Sequence, residues 1–273
     1  LQQLAGIFAN RRQYPKAADL WRKRIQRFNS DQAPKKQLEQ IIGNWGEFEP
    51  IMTHPAGQKA TVDYRFRNGT EVNLTARAIK VEQLLSDIKA YLKANPDQLE
   101  HQTINIGNIG YRLVHENETT YLGNTVAKWT QKLDPPDNHW NRRITLETPL
   151  AKAGAYLLTA EMDDGNTSRI IIWINDTVIA RKPLDNKFLY YVTDAVTGTP
   201  LQKATLAFFG YNVEHDRKKP RTHDINVSEF AEFTNADGVV IPSTDDLKRG
   251  MSWLVTATTD AGRLAYLGFD GVW

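Results

Sequence analysis

The chain of 273 residues contains no cysteine, which removes disulfides, thiolate metal sites and cysteine nucleophiles together. Units of this size can hold their folds on core burial alone. Long apolar runs are missing too. The longest uninterrupted one, Ile170 to Ile174, is far short of the roughly 18–20 residues that a membrane-spanning helix needs. No basic segment followed by an apolar one opens the chain, which begins at Leu1 without methionine, a start compatible with an upstream region or leader having been removed. There is no G-x-S-x-G elbow, Walker A run or G-x-G-x-x-G, so the common nucleophile and phosphate loops are not written here.

What is present is an ordinary globular balance of 41% hydrophobic and 24% charged residues, which excludes a wholly disordered chain. The length allows two or three units of about 100–150 residues each. Net charge is +2, yet the first 36 residues hold nine Lys and Arg against Asp19 and Asp31, leaving −5 for the remainder. The basic character is local.

Leu4, Ala5 and Phe8, then Tyr14, Ala17, Leu20, Trp21, Ile25 and Phe28, recur at three-to-four-residue spacing interrupted near Asn10. This predicts a helical hairpin, with Pro15 tolerated in the first turn of the second helix. The spacing resembles a single tetratricopeptide repeat. A third helix, Pro34 to Ile42, is expected to end on Gly43 as a left-handed cap. The period then changes. Lys59 to Phe66 and Glu71 to Ala76 alternate around Arg67-Asn68-Gly69, the signature of a β-hairpin with a type I′ turn. Val81, Leu84, Leu85, Ile88, Tyr91 and Leu92 mark a helix that stops near Asn95-Pro96 and packs on that hairpin sheet. Asn105 to Val114 and Thr119 to Leu133 read as strands, and the prolines of Asp134-Pro-Pro-Asp137 read as a unit boundary.

From Arg142 onward strands and turn signals alternate every eight to twelve residues, the spacing of β-sandwiches. RITLETPL, GAYLLTAEM, SRIIIWIND and TVIARKPL form a first series, and FLYYVTDA, ATLAFFGYN, EFAEFT, VVIP, WLVTATT and LAYLGF a second. The expected architecture is mainly β with α: tandem antiparallel β-sandwiches (Ig-like) preceded by an N-terminal helical hairpin and a mixed α+β module. The units are 1–44 (hairpin), 45–133 (mixed module), 134–185 (first sandwich, with strands from 105–133 available to be shared) and 186–273 (second sandwich).

Two segments carry a family resemblance. AGAYLLTAEM with RIIIWIND resembles the paired strands that close a macroglobulin domain, and YYVTDAVTGTPLQKATLAFFGY followed by FTNADGVVIP resembles the next such domain. Its pattern is a strand ending in Asp194-x-x-Thr197-Gly198-x-Pro200-Leu201, a strand that begins on a small residue, and Asp237-Gly238 at a later hairpin. With the helical hairpin upstream, the chain looks like the N-terminal region of a bacterial alpha-2-macroglobulin-like protein. The resemblance implies a large protease-trapping, envelope-defence protein, secreted, periplasmic or attached to the cell envelope. Members trap proteases through a bait segment and, in many cases, a Cys–Gln thioester. A chain without cysteine cannot contain that bond, so the resemblance implies a non-reactive scaffold segment onto which no functional residue is carried.

Other candidate chemistries rest on isolated groups. A glycosidase needs two carboxylates across a cleft; Asp163-Asp164 and Asp245-Asp246 both fall in predicted turns, where aspartate bonds to local backbone. Asp163-Asp164-Gly165-Asn166 lacks the alternating ligands and closing Glu of a calcium loop. His215, Asp216, His223 and Asp224 could bind zinc only if the loop with Arg217, Lys218, Lys219 and Arg221 folded back. Gly107-Asn-Ile-Gly110 reads as a turn beside a strand in preference to a nucleic-acid clamp. Arg11, Arg12, Lys16, Arg22, Lys23, Arg24 and Arg27 read as a solvated basic face, because Phe8, Trp21 and Phe28 sit at core-facing spacing. Of Trp129, Trp140, Trp173 and Trp253, only Trp140 is expected to be exposed. Sequons at Asn68, Asn73, Asn117, Asn166, Asn175 and Asn226 coincide in part with turn chemistry.

The expectation is thus a non-enzyme with no catalytic, cofactor or metal residues, no nucleic-acid partner and no membrane-spanning segment. Its partners would be neighbouring domains of the same polypeptide and, through the full-length protein, proteases. The competing class is a carbohydrate-binding or adhesive β-sandwich accessory to an extracellular enzyme, and a third is a helical-repeat adaptor that binds acidic peptides on its basic face.

Overall fold

The computed structural model describes residues 1–28, 31–51, 53–97, 99–116, 118–215 and 223–271. Helices α1 (Gln2–Asn10), α2 (Tyr14–Arg27) and α3 (Gln32–Ile42) open the chain, α2 packing between the other two around Ala5, Ala17, Ala18, Trp21 and Ile41. The Asp31 carboxylate caps α3 by accepting from the Ala33 amide at 3.1 Å. Gly43 is not the expected left-handed cap. Its backbone is extended, with φ −69° and ψ 151°. Glycine is required there because a Cβ would overlap Glu39 in the last turn of α3.

Strands β1 (Trp45–Phe48), β3 (Thr61–Arg67) and β6 (Arg142–Glu147) form an antiparallel sheet in the order β1-β3-β6. Facing it is a five-stranded sheet of β2 (His54–Pro55), β8 (Thr167–Asn175), β7 (Gly154–Met162), β4 (Glu71–Ile79) and β5 (Leu122–Lys132), in that spatial order. Tyr64, Phe66 and Leu146 from one sheet meet Leu74, Leu158 and Ile172 from the other.

The expected hairpin between β3 and β4 does not form, since the two strands belong to opposite sheets. Their alternating apolar residues face each other across the core instead of lying side by side. Asn68, with φ 60°, is the corner. Its amide donates to the carbonyls of Ile41 at 2.9 Å and Gly43 at 2.8 Å, and its oxygen meets His139 Nδ1 at 2.8 Å. A Cβ on Gly69 would overlap Met162, so the corner lies directly against β7. The predicted boundary at residues 133/134 is also corrected, because β3 pairs with β6 and β4 pairs with β7 across it.

Between β4 and β5 the chain inserts a helical layer: α4 (Val81–Lys93), α5 (His101–Ile104), a 3₁₀ turn at Ile106–Asn108 and α6 (Ile109–Val114). The strand expected over Asn105 to Val114 is therefore helical. Gly107 and Gly110 sit in this helical segment and not in a turn beside a strand, with the position of Gly110 approaching Ile171 of β8.

The second sandwich comprises β9 (Thr177–Leu184), β10 (Lys187–Asp194) and β13 (Val239–Val240), ordered β13-β10-β9. Its other sheet, β12-β11-β14-β15, is built from β11 (Thr205–His215), β12 (His223–Phe233), β14 (Ser252–Thr258) and β15 (Leu264–Gly271). Tyr190, Phe208 and Trp253 fill its core, and Gly210 leaves room for the Trp253 ring. Because β9 pairs along its whole length with β10, the second sandwich starts at Thr177 and not at residue 186. Asp176 alone separates it from β8.

The helical layer lies between the two sandwiches. Leu84, Ile88, Leu92 and Leu113 share one buried cluster with Ala155 and Leu157 on the outer face of the five-stranded sheet and with Phe209, Ile225 and Leu254 from the four-stranded one. α4 accordingly packs on sheets of both sandwiches, not on a hairpin. At its end Asn95, with φ 47°, accepts from the Ile225 amide at 2.8 Å, and Lys93 pairs with Glu229 at 2.7 Å.

One core polar group stands out. Tyr64 is fully buried, its hydroxyl has no hydrogen-bond partner, and burial pushes its ionisation upward. An unpaired buried hydroxyl costs about 1–3 kcal/mol. Tyr64→Phe is expected to leave stability unchanged or raise it by up to about 1 kcal/mol; a clear loss in urea titration would mean that the hydroxyl is paired.

Candidate functional site at the sandwich junction

Where β8 hands over to β9, two segments distant in sequence converge on Arg263. Its guanidinium Nη1 donates to the Asp176 carbonyl at 3.1 Å and to Asp194 Oδ2 at 2.6 Å. The other Asp194 oxygen accepts from the amides of Val196 at 2.9 Å and Thr197 at 2.8 Å and from the Thr197 hydroxyl at 3.1 Å. Aspartate at this position thus folds the Thr197-Gly198-Thr199-Pro200 turn, while Gly198 takes φ 72°. The Ala195 amide donates to the Asp176 carbonyl at 2.9 Å, and the Val192 amide to the Gly238 carbonyl at 2.8 Å. Gly238, with φ 71°, lies so close that a Cβ would come 2.5 Å from the Val192 oxygen. The Asp194 turn and the Asp237-Gly238 hairpin, distant in sequence, are therefore in direct contact. Arg263 carried no signal in the sequence, where it is a lone cation after a turn glycine.

Asp194 is held well below the usual carboxylate range, first by Arg263 and then by the Thr197 and Val196 amides. Its side chain is 16% exposed.

Beside this clamp lies a cleft of about 800 Å³ whose walls include Lys80 and Glu82 at the start of α4, Trp173 of β8, Asp176, and Leu264 and Tyr266 of β15. Trp173 and Tyr266 meet edge to face, centroids 5.8 Å apart. Burial pushes the Tyr266 hydroxyl up to about 12, so it stays protonated at neutral pH. Apolar walls, a neutral phenol and flanking charges suit contact and hydrogen bonding.

The candidates from sequence are scattered. Asp163-Asp164 sits in the β7–β8 turn, where the Asp163 carbonyl accepts from Asn44 at 2.8 Å, and Asn166 exchanges two hydrogen bonds of 2.8 and 2.9 Å with the Gly46 backbone. Asp245-Asp246 is on the other sandwich, where Asp246 accepts from the Ser243 hydroxyl at 2.5 Å; burial and Asp246 together raise the nearby Glu232 carboxyl. The structure does not bring the two aspartate pairs together. His215 stands opposite His223 as the last register pair of β11 and β12. Asp216, Arg217, Lys218, Lys219 and Arg221 lie outside the described residues, as does the Asn117 sequon. Among the described residues no group of three or more metal-ligating side chains converges, and no helix is long and apolar enough to cross a membrane.

Trp253 is buried and Trp140 exposed, as expected, whereas Trp173 is only half-buried at the cleft. Trp140 stands edge-on to Tyr14 at 5.6 Å. The four tryptophans lie on different elements and form no row. In the basic N-terminal helices Trp21 is buried, but Phe28 departs from the core-facing expectation: it is 55% exposed beneath the Arg24 guanidinium, 4.0 Å away.

Fold and site together define a mainly β protein: two antiparallel sandwiches joined across an inserted helical layer, with a helical hairpin in front. No family model matches the chain, and no curated protein does. Among solved structures it is similar to native alpha-2-macroglobulin from Escherichia coli spanning domains MG0-NIE-MG1, with 14% identity over 82% of this chain and 64% of that one and a TM-score of 0.49. It is likewise similar to the NIE-MG1 portion of that protein, with 14% identity over 83% of this chain and 97% of that one and a TM-score of 0.46. A mutant Salmonella alpha-2-macroglobulin matches at 13% identity over 84% of this chain and 12% of that one, TM-score 0.46. The chain spans less than two thirds of the first and a small part of the last.

The sign of the Asp194 effect is fixed by its direction. A carboxyl with a depressed folded-state pKa adds stability above its ordinary value of 3.8, and that stability is lost as pH falls toward the folded-state value. Asp194→Asn is expected to lower Tm at pH 7 and to flatten the decline below about pH 4. Parallel Tm-versus-pH curves for the two proteins would contradict the clamp.

Proposed function

We propose that this chain is a non-catalytic frame segment of an alpha-2-macroglobulin-like protein, in which it holds neighbouring domains of the same polypeptide in fixed relation. The observation that carries the reading is the shared hydrophobic cluster in which the α4–α6 layer packs on the outer faces of sheets from both sandwiches. Two domains joined by a flexible linker would hinge; two that share a core move as one body. A further support is that the two motif segments behind the family resemblance, the Asp194 turn and Asp237-Gly238, meet at the junction. On this reading protease trapping belongs to the full-length protein, with residence outside the cytoplasm, and this segment transmits or resists motion between its neighbours.

Two outcomes follow. The isolated chain, in molar excess over a serine protease digesting a protein substrate, is expected to leave the digestion rate unchanged; slowed digestion would assign inhibition to the segment itself. Leu254 is fully buried in the shared cluster, and Leu254→Ala should cost about 2–5 kcal/mol. Leu254→Asp should go further and split one cooperative thermal transition into two, while a single unshifted transition would mean that the cluster does not couple the sandwiches.

A further inference from the structure

We propose that His139 is a proton-sensitive latch: on acidification its imidazolium, set between Arg22 and Arg67, loosens the seat of the α1–α3 helices on the first sandwich. This goes beyond the frame role and does not depend on it. His139 closes the 3₁₀ turn Asp137–His139 between β5 and β6. Asn138 and His139 both take φ 62°, a left-handed pair that is uncommon outside glycine and that surrounding contacts hold in place. On one side of the turn is α2, where Tyr14 meets Trp140. On the other is the Asn68 corner, which carries the end of α3. Arg67 joins the same seat, donating through Nη1 to Asn141 Oδ1 at 3.3 Å and through Nη2 to the Gln40 carbonyl.

Hydrogen bonding fixes where the proton goes. The Asn68 amide nitrogen commits both hydrogens to the Ile41 and Gly43 carbonyls, so its oxygen accepts, and His139 Nδ1 carries the hydrogen across the 2.8 Å between them. Acid therefore adds its proton at Nε2 and leaves the Asn68 bond intact. What changes is charge. Burial, and then the facing cations Arg22 of α2 and Arg67 of β3, hold the ring's pKa below its ordinary 6.5. The acids of the neighbouring segments do not offset them: Asp19 is engaged by Arg22 at 2.9 Å, Asp134 by Arg142 at 2.5 Å, and Asp137 is exposed. A histidine whose docked pKa is depressed binds a proton more readily once the helices leave. Docking is thus at full strength above the ordinary value of 6.5 and weakens as pH falls below it.

The test uses the full chain and hydrogen exchange read by mass spectrometry, with a proton NMR titration of the His139 ring alongside. Between pH 7.5 and pH 5.0, after correction for intrinsic exchange, protection of amides in α2 and α3 is expected to fall about threefold or more, while amides in β7 and β11 keep theirs. His139→Asn tolerates the left-handed backbone, offers the Asn68 oxygen an amide donor and does not titrate, so its α2 and α3 should be equally protected at both pH values. Arg22→Gln, at a side chain 47% exposed, should bring the His139 titration midpoint closer to 6.5 and shrink the loss. Unchanged protection of α2 and α3 in the native chain, an equal loss in His139→Asn, a loss shared by β7 and β11, or a His139 midpoint at or above 6.5 would each overturn the proposal.

Discussion

The structure depends on burial of one helical layer between two β-sandwiches. The single buried stripes of α4 and α6 lie in one cluster with residues of two sheets, Ala155 and Leu157 of the five-stranded one and Phe209 and Leu254 of the four-stranded one. Strands β7 and β8 of one sheet and β11 and β14 of the other are consequently covered on both faces, with Leu158 and Ile172 turned into the first core and Phe208 and Trp253 into the second. Polar and aromatic details then lock the arrangement, Asn95 against β12 and Arg263 across the Asp176 link. Removing the layer would expose two apolar sheet faces at once, which few soluble proteins tolerate.

This arrangement accounts for much of what the sequence made legible and for what it hid. The helical hairpin, α4 and the regular strands after Arg142 could be read because their periods are strong and local. The corner at Asn68 could not. Asn-Gly between alternating segments is the usual hairpin signal, but alternation reports only that one side of each strand is buried. It does not say whether the two strands lie in one sheet or face each other across a core. Only the tertiary partners of Asn68, namely Ile41, Gly43 and His139, make it a crossing between sheets.

The apolar run Ile170 to Ile174 held a clue of another kind. A half-buried strand alternates, whereas a strand covered on both faces reads as continuous apolar sequence. Ile172 and Ile174 point into the first core while Ile171 and Trp173 meet the helical layer, and the Phe208-Phe209 and Trp253-Leu254 pairs divide in the same way. The runs marked a sheet between layers. The segment from Asn105 to Val114 misled because Ile, Tyr and Val are common in strands, and burial within the layer overrode that preference. At the junction, Asp194 belonged to a recognisable motif, but its partner Arg263 did not, since an ion pair between residues so far apart leaves no local pattern.

The central claim is that the helical layer makes the two sandwiches a single rigid body. Residual dipolar couplings of backbone amides, measured separately for β3, β4 and β7 of the first sandwich and β10, β11 and β14 of the second, test it most directly. The account predicts one alignment tensor that fits both sets with a common order parameter. Two tensors of different magnitude or orientation, signalling independent reorientation, would contradict it.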